Sequence, residues 1–237
     1  MSDIQLTWIG HGTFSLRDDS GHTFILDPWV AGNPVCPEPL KTGLKPDALL
    51  ITHGHGDHIG DAVALAAKHK PEVVGIFEIC HWLQSKGVRN VKAMNKGGTQ
   101  EILGVKVTMV HADHSCGILD GESMIYGGEA AGYVLEFRSG FKLYFSGDTN
   151  VFGDMKLIAD LYAPDAACLP IGDLFTMGPR EAALACRMLG VRTVIPMHWG
   201  TFPALTGTPD ALRERTRDIR DLTIVSLEPG ASTTLGK

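Results

Sequence analysis

The stretch that most constrains this chain is DALLITHGHGDHIGD, residues 47–61, where a short apolar run stops and three histidines and two aspartates follow within ten positions. Residues 47–52 have the length and apolar content of a buried strand. Side chains alternate along an extended segment, so His53 and His55, two apart, aim at one point. Gly54 and Gly56 would let the backbone turn tightly, and Asp57 and His58, at the turn into a helix, offer two donors from another angle. Imidazole and carboxylate suit zinc and its first-row neighbours, and the motif contains no thiolate. The competing account is a solvent-exposed histidine cluster.

Hydrophobic period organises the rest. Residues 4–10, 12–18 and 22–27 read as an antiparallel meander, with DDSG as the turn between the last two. The proline-rich stretch up to residue 46 predicts no regular structure. Beyond the motif, residues 59–70 read as one helix, followed by VVGI and a helix over 77–87 stopped by Gly87. Strands are expected over 105–110, 131–137 and 141–146. Helices and strands then alternate to residue 227, with Pro179 and Pro209 as first helical residues and Gly178 and Thr208 as their caps. Strand groups with helices distributed around them predict a layered α/β sandwich with mixed sheets, and no linker or repeat divides the 237 residues, so one domain over 1–237 is expected.

Three other apolar strands run into potential donors: 105–110 into His111 and His114, 141–146 into Asp148, and RTVIPM into His198. Strand C-termini in α/β proteins converge on ligand crevices. Counting His114 for its segment, His53, His55, Asp57, His58, His114, Asp148 and His198 make seven donors. A catalytic zinc takes three protein ligands and a water, so seven imply two ions. They divide into His53, His55 and His114 for one and Asp57, His58 and His198 for the other, with Asp148 bridging. His11 could exchange protons or contact substrate, or be held within its loop. Asp27 could accept the outer ring proton of a ligand histidine, or be a turn aspartate before Pro28. Trp199 and Phe202 are candidates for the pocket wall against a default of core packing, and Arg180 is a candidate anion contact against a default of surface exposure. His22, His69 and His81 are expected on strand or helix faces with nothing acidic or metal-like around them.

The order HGHGDH, a histidine after a strand, SGDT, and then PMHWGTF resembles the metallo-β-lactamase superfamily. GNPVCPEPLK, LPIGDLFTMGP and PMHWGTFP resemble its cytosolic metal-dependent hydrolases related to ascorbate-6-phosphate lactonase and, more remotely, to N-acylphosphatidylethanolamine phospholipase D. The resemblance implies a four-layer αββα sandwich with two mixed β-sheets, a dinuclear site at one edge, and the ligand division given above. It selects His114 over His111 because the family places Ser after that histidine, as in His114-Ser115.

Zinc is the first expectation for the two divalent ions, with manganese, nickel and iron as alternatives. They would supply a hydroxide at neutral pH that attacks a small ester, lactone or phosphoester, with Asp57 carrying a proton to the leaving group. Two alternatives are a metal-binding sensor or scaffold without turnover and a phosphodiesterase or phospholipase D-like enzyme. A net charge of −6 gives no basic footprint for nucleic acid or a membrane surface, so a small-molecule substrate is the expected partner, with a homo-oligomer as a further option. The absence of a signal-peptide pattern and of any CxxC pair among five cysteines predicts a cytoplasmic address.

Overall fold

The computed structural model describes residues 4–236. Strands β1 (Ile4–Gly10), β2 (Thr13–Arg17) and β3 (Thr23–Leu26) form the expected meander, with Leu6 opposite Leu16 and Leu16 opposite Phe24. Asp18 closes its second turn, accepting hydrogen bonds from the amides of Ser20 at 3.0 Å and His22 at 2.7 Å. Its Oδ2 also lies 3.2 Å from His22 Nδ1, so His22 does have an acidic neighbour, contrary to the sequence reading.

The proline-rich stretch holds a short helix, α1 (Glu38–Gly43), where none was expected. Pro39 fits its first turn and Glu38 pairs with Lys41 one turn on, at 2.6 Å, although no side chain of the helix is buried. Next come β4 (Ala48–Leu50), α2 (Gly56–Ile59), α3 (Ala62–His69), β5 (Glu72–Ile76), α4 (Phe77–Ser85) and β6 (Val91–Met94). The single helix expected over 59–70 is therefore two helices broken at Gly60 and Asp61. Asp61 Oδ2 accepts from the amides of Val30 and Ala31 at 2.6 and 3.0 Å, and its own amide donates to the Pro28 carbonyl, which pins the corner to another loop.

The second half contributes β7 (Thr99–Ile102), β8 (Val105–His111), the hairpin β9 (Gly117–Asp120) and β10 (Ser123–Tyr126), β11 (Ala131–Glu136) and β12 (Lys142–Phe145). It continues as α5 (Met155–Tyr162), β13 (Ala166–Pro170), α6 (Pro179–Leu189), β14 (Thr193–Met197), α7 (Pro209–Thr216), β15 (Thr223–Ile224) and β16 (Ser232–Leu235). Of the two expected caps, Thr208 accepts a side-chain bond from the Ala211 amide, whereas Gly178 caps through its extended backbone alone.

These strands form two seven-stranded mixed sheets, ordered β16-β1-β2-β3-β4-β5-β6 and β15-β14-β13-β12-β11-β8-β7. In each, an antiparallel half passes into a parallel half, the change falling at β3 and at β12. Strand alternation gives the second sheet two buried faces. Leu143 and Phe145 belong to the core between the sheets, where Phe145 meets Phe14 edge-on at 5.9 Å. Tyr144, Val134 and Leu169 point the other way into a second core with Met155 of α5, Ala182 of α6 and Leu212 of α7. On the outer face of the first sheet, α4 buries Ile79 and Leu83 against β5 and β6. The result is the expected αββα sandwich. All five cysteines are buried and free, and no described helix is long and apolar enough to cross a membrane.

Candidate metal centre

Five strands end at one edge of the sandwich: β3 runs into Asp27, β4 into His53, β8 toward His114, β12 toward Asp148 and β14 into His198. His11 joins them from the β1–β2 turn. Backbone bonds tie the two sheets together at this edge, Ala131 N to Thr52 O and His198 N to His11 O, each at 3.0 Å. His11, Asp27 and His198 have left-handed φ values of 56°, 48° and 55°. Such conformations cost non-glycine residues ~1–3 kcal/mol each and collect at functional sites, where the surrounding structure over-determines them.

Asp148 Oδ2 sits amid the imidazoles, 3.0 Å from His198 Nε2, 3.2 Å from His58 Nε2, 3.8 Å from His114 Nε2 and 4.0 Å from His53 Nε2. His55 Nδ1 lies 3.1 Å from His53 Nε2 and 3.3 Å from His114 Nε2. In a tetrahedral site with bonds of about 2.05 Å, ligand atoms are separated by about 3.3 Å, which both of these separations match. His53, His55 and His114 form one group able to hold a metal, and His11, Asp57, His58 and His198 form another.

Proton placement supports the same fit. Asp27 Oδ1 accepts from the Thr52 amide at 2.8 Å, and Oδ2 accepts from the Thr52 hydroxyl at 2.7 Å and from His58 Nδ1 at 2.9 Å. Since the Thr52 hydroxyl gives its proton to Asp27, it accepts from His53 Nδ1 at 2.9 Å. Both histidines thereby carry a proton on Nδ1 and turn Nε2 inward. His58 Nε2 and Asp148 Oδ1 are buried with no hydrogen-bond partner among the described residues, as expected of atoms aimed at a cation.

The local field acts differently on the individual groups. Burial would discharge His58, yet Asp148 and Asp27 hold its pKa well above the ordinary value. Burial likewise opposes ionisation of Asp148, but His198 and His58 hold it well below the carboxylate range. Burial pushes His53 well down, and His55 and His114 down less far. The cluster thus combines imidazoles that burial keeps neutral, His53, His55 and His114, with a central carboxylate, beside which His58 keeps its second proton until a cation displaces it.

Several sequence readings are refined here. His111 is exposed on β8 and meets Lys96 Nζ at 3.0 Å, so it is His114 that reaches the cluster. His11 is fully buried and does not border the cavity. Its Nε2 donates to Asp57 Oδ2 at 3.0 Å and its Nδ1 meets Thr201 Oγ1 at 2.9 Å, so its direct side-chain partner at the site is Asp57. Gly54 and Gly56 adopt no left-handed backbone. Gly54 is required for packing, since a Cβ there would lie 2.5 Å from Ile118, whereas Gly56 faces open space. Gly12, which the sequence did not single out, makes room for His58, whose Cε1 a Cβ would approach to 2.4 Å. Trp199 stacks on Trp8 at 5.3 Å, Phe202 packs edge-on near His11 at 5.7 Å, and Arg180 is exposed on α6. None of the three lines the cavity. That cavity, about 300 Å³, is bordered by His55, Asp57, His114, Asp148 and His198 together with Ser115 and Phe175. Ser115 and Phe175 lie in stretches that carry the family resemblance, but neither was identified from sequence as a wall of the cavity.

An αββα sandwich with a His/Asp cluster at its strand ends is the arrangement of a metal-binding protein of the metallo-β-lactamase fold. Comparison with known proteins agrees. A family model described as "Beta-lactamase superfamily domain" matches residues 22–199, and a "UPF0173 metal-dependent hydrolase" of Solibacter usitatus is 58% identical over 227 residues, 96% of this chain and 98% of that one. A protein with the same family description from Koribacter versatilis is 55% identical over 214 residues, covering 90% and 92% of the two chains. Among solved structures, Igni18, a metallo hydrolase from the archaeon Ignicoccus hospitalis, superposes with a TM-score of 0.87 at 32% identity over 99% of both chains. The chain belongs to the β-lactamase superfamily, in its UPF0173 metal-dependent hydrolase family.

Proposed function

We propose that the protein hydrolyses an ester, lactone or phosphoester of a small molecule at a dinuclear metal centre. The observation that carries this reading is the position of Asp148 Oδ2, within 3.0–4.0 Å of imidazole nitrogens from both donor groups. His53 Nε2, His55 Nδ1 and His114 Nε2 would hold one ion. Asp57, His58 Nε2 and His198 Nε2 would hold the other, with Asp148 shared. The nitrogen and oxygen donors favour zinc, with manganese, nickel or iron as substitutes. When bound, such ions lower the pKa of coordinated water from about 15.7 to about 7 and polarise the electrophile.

The chain's own groups do the rest. Burial favours a protonated Asp57, but the hydrogen bond from His11 and the nearby imidazoles hold it below the carboxylate range. It borders the cavity as a carboxylate able to take a proton and pass it to a leaving group. Burial pushes His11 down to about 4, so it stays neutral and, with Thr201 on its other nitrogen, fixes the orientation of Asp57. Asp27 and Thr52 keep Nδ1 of His53 and His58 protonated and their other nitrogens turned inward.

The test is elemental analysis of protein purified without chelator, together with a hydrolysis panel of lactones, carboxylic esters, thioesters and phosphodiesters. Two ions per chain and chelator-sensitive turnover of one class are expected. A folded protein retaining fewer than two ions at metal saturation, or turnover indifferent to chelation, overturns the reading.

A further inference from the structure

The tip that follows β13 exposes two large apolar side chains at the edge of the candidate site. Leu174 and Phe175 are 62% and 63% exposed, and Phe175 borders the cavity. Asp173 and Leu174 both adopt left-handed backbone, with φ of 69° and 60°. Bonds from the amides of Leu174 to Asp173 Oδ1 and of Phe175 to the Asp173 carbonyl, each 2.7 Å, hold this shape. Its two ends are fastened to the candidate metal centre. Gly172 lies so close to His198 that a Cβ would come within 1.9 Å of the His198 carbonyl oxygen, and the Met177 amide donates to the Thr149 carbonyl, next to Asp148. A strained turn anchored this way presents two large apolar side chains to water beside the reacting centre, an arrangement that gains free energy only when something apolar covers it.

The remaining cavity wall narrows what that something is. It includes two carboxylates, Asp57 and Asp148, and no lysine or arginine. Recognition of a charged substituent held away from the ions uses guanidinium or ammonium partners, and the wall beyond the candidate metal ligands, Ser115 and Phe175, offers none. A cavity of about 300 Å³ is at the lower end for a ligand site, which limits the occupant to a small molecule.

We infer that Phe175, with Leu174 beside it, is the specificity-determining wall of the site, and that the substrate is an uncharged ester or lactone carrying a short apolar chain next to the scissile carbonyl. The inference rests on the hydrolase reading above and deepens it. The carbonyl end faces the histidine and aspartate cluster, and the chain leaves the cavity across the Phe175 ring.

Alkyl hydroxamic acids from two to eight carbons, which pair a metal-chelating head with a graded tail, test this without turnover. Calorimetric titration of the metal-loaded protein should show binding that chelation abolishes and that tightens about two- to fourfold per methylene, levelling off once the tail passes Phe175. Phe175→Ala should flatten the series at unchanged metal content, and Phe175→Leu should retain most of the slope. Replacing the terminal methyl by a carboxylate should weaken binding at least tenfold. Metal-dependent binding without a chain-length slope, a slope unaltered in Phe175→Ala, or tighter binding of the carboxylate overturns this inference and leaves the hydrolase reading standing. Binding that survives complete chelation removes both.

Discussion

Nδ1 of His58 donates a hydrogen bond to Oδ2 of Asp27 at 2.9 Å, with both side chains fully buried. Asp27 takes three hydrogen bonds in all, two of them from Thr52, so three donors converge on one carboxylate. Asparagine tolerates the left-handed backbone at this position but brings an NH2 group against donors that need an acceptor. Asp27→Asn is expected to weaken metal binding by about 10–100-fold, the usual effect of losing a partner that orients a ligand histidine, and to cost ~1–3 kcal/mol of stability. Competition against a chromophoric chelator measures the first quantity and denaturant melts the second. Unchanged metal affinity would show that His58 is not oriented through Asp27.

The glycines around the motif are not equivalent. Gly12→Ala places a methyl 2.4 Å from His58 Cε1, whereas Gly56→Ala meets nothing within 4 Å and lies on helical backbone. The first substitution should displace the imidazole, costing ~1–3 kcal/mol and about one equivalent of metal. The second should keep both equivalents and gain ~0.4–1 kcal/mol through the unfolded chain. Thermal melts with elemental analysis separate the two, and indistinguishable variants would mean that the His58 ring relaxes freely.

What the sequence exposed was local or periodic. The two-residue spacing of His53 and His55, and apolar strands running into His114, Asp148 and His198, are readable because strand direction alone carries them to one edge. Partnerships across long separations were not readable. Asp57 with His11, 46 residues away, and His11 with Thr201, 190 residues away, depend on loop conformations that no hydrophobic period encodes. Strand β16 escaped because STTL lacks an apolar alternation; it is placed by pairing with β1, Ile4 opposite Leu235. The β9–β10 hairpin escaped because its second strand is exposed throughout, which leaves no buried face to mark it. Phe175 reaches the cavity through a turn that requires left-handed leucine, against the local preference of the chain.

Chelation should lower the melting temperature appreciably. A ligand present at 100 times its dissociation constant stabilises the native state by about 2.7 kcal/mol. For a chain of this size each kcal/mol shifts the midpoint by about 2–4 °C, so a loss of roughly 5–11 °C is expected for each ion removed. Differential scanning calorimetry before and after chelator treatment, with zinc added back as control, reads it directly. A midpoint indifferent to chelation would mean that these buried imidazoles are stable without a cation.

The β8 strand end offers two histidines three residues apart, and the structure treats them differently. His114 lies in the loop beyond the strand, 3.3 Å from His55 and mostly buried, while His111 remains on the strand, exposed, beside Lys96 and against the Phe152 ring at 4.9 Å. Their fates on substitution should therefore diverge. His114→Ala removes one corner of the proposed three-histidine site, so it should lose about one metal equivalent and reduce turnover by at least two orders of magnitude, since that ion would otherwise polarise the electrophile. His111→Ala touches only surface contacts and should stay within ±0.5 kcal/mol of the parent with both equivalents retained. The comparison is sensitive to strand register, because a slip of three residues at the end of β8 would exchange the two positions. Metal loss in His111→Ala with none in His114→Ala would therefore overturn the placement of this whole strand end.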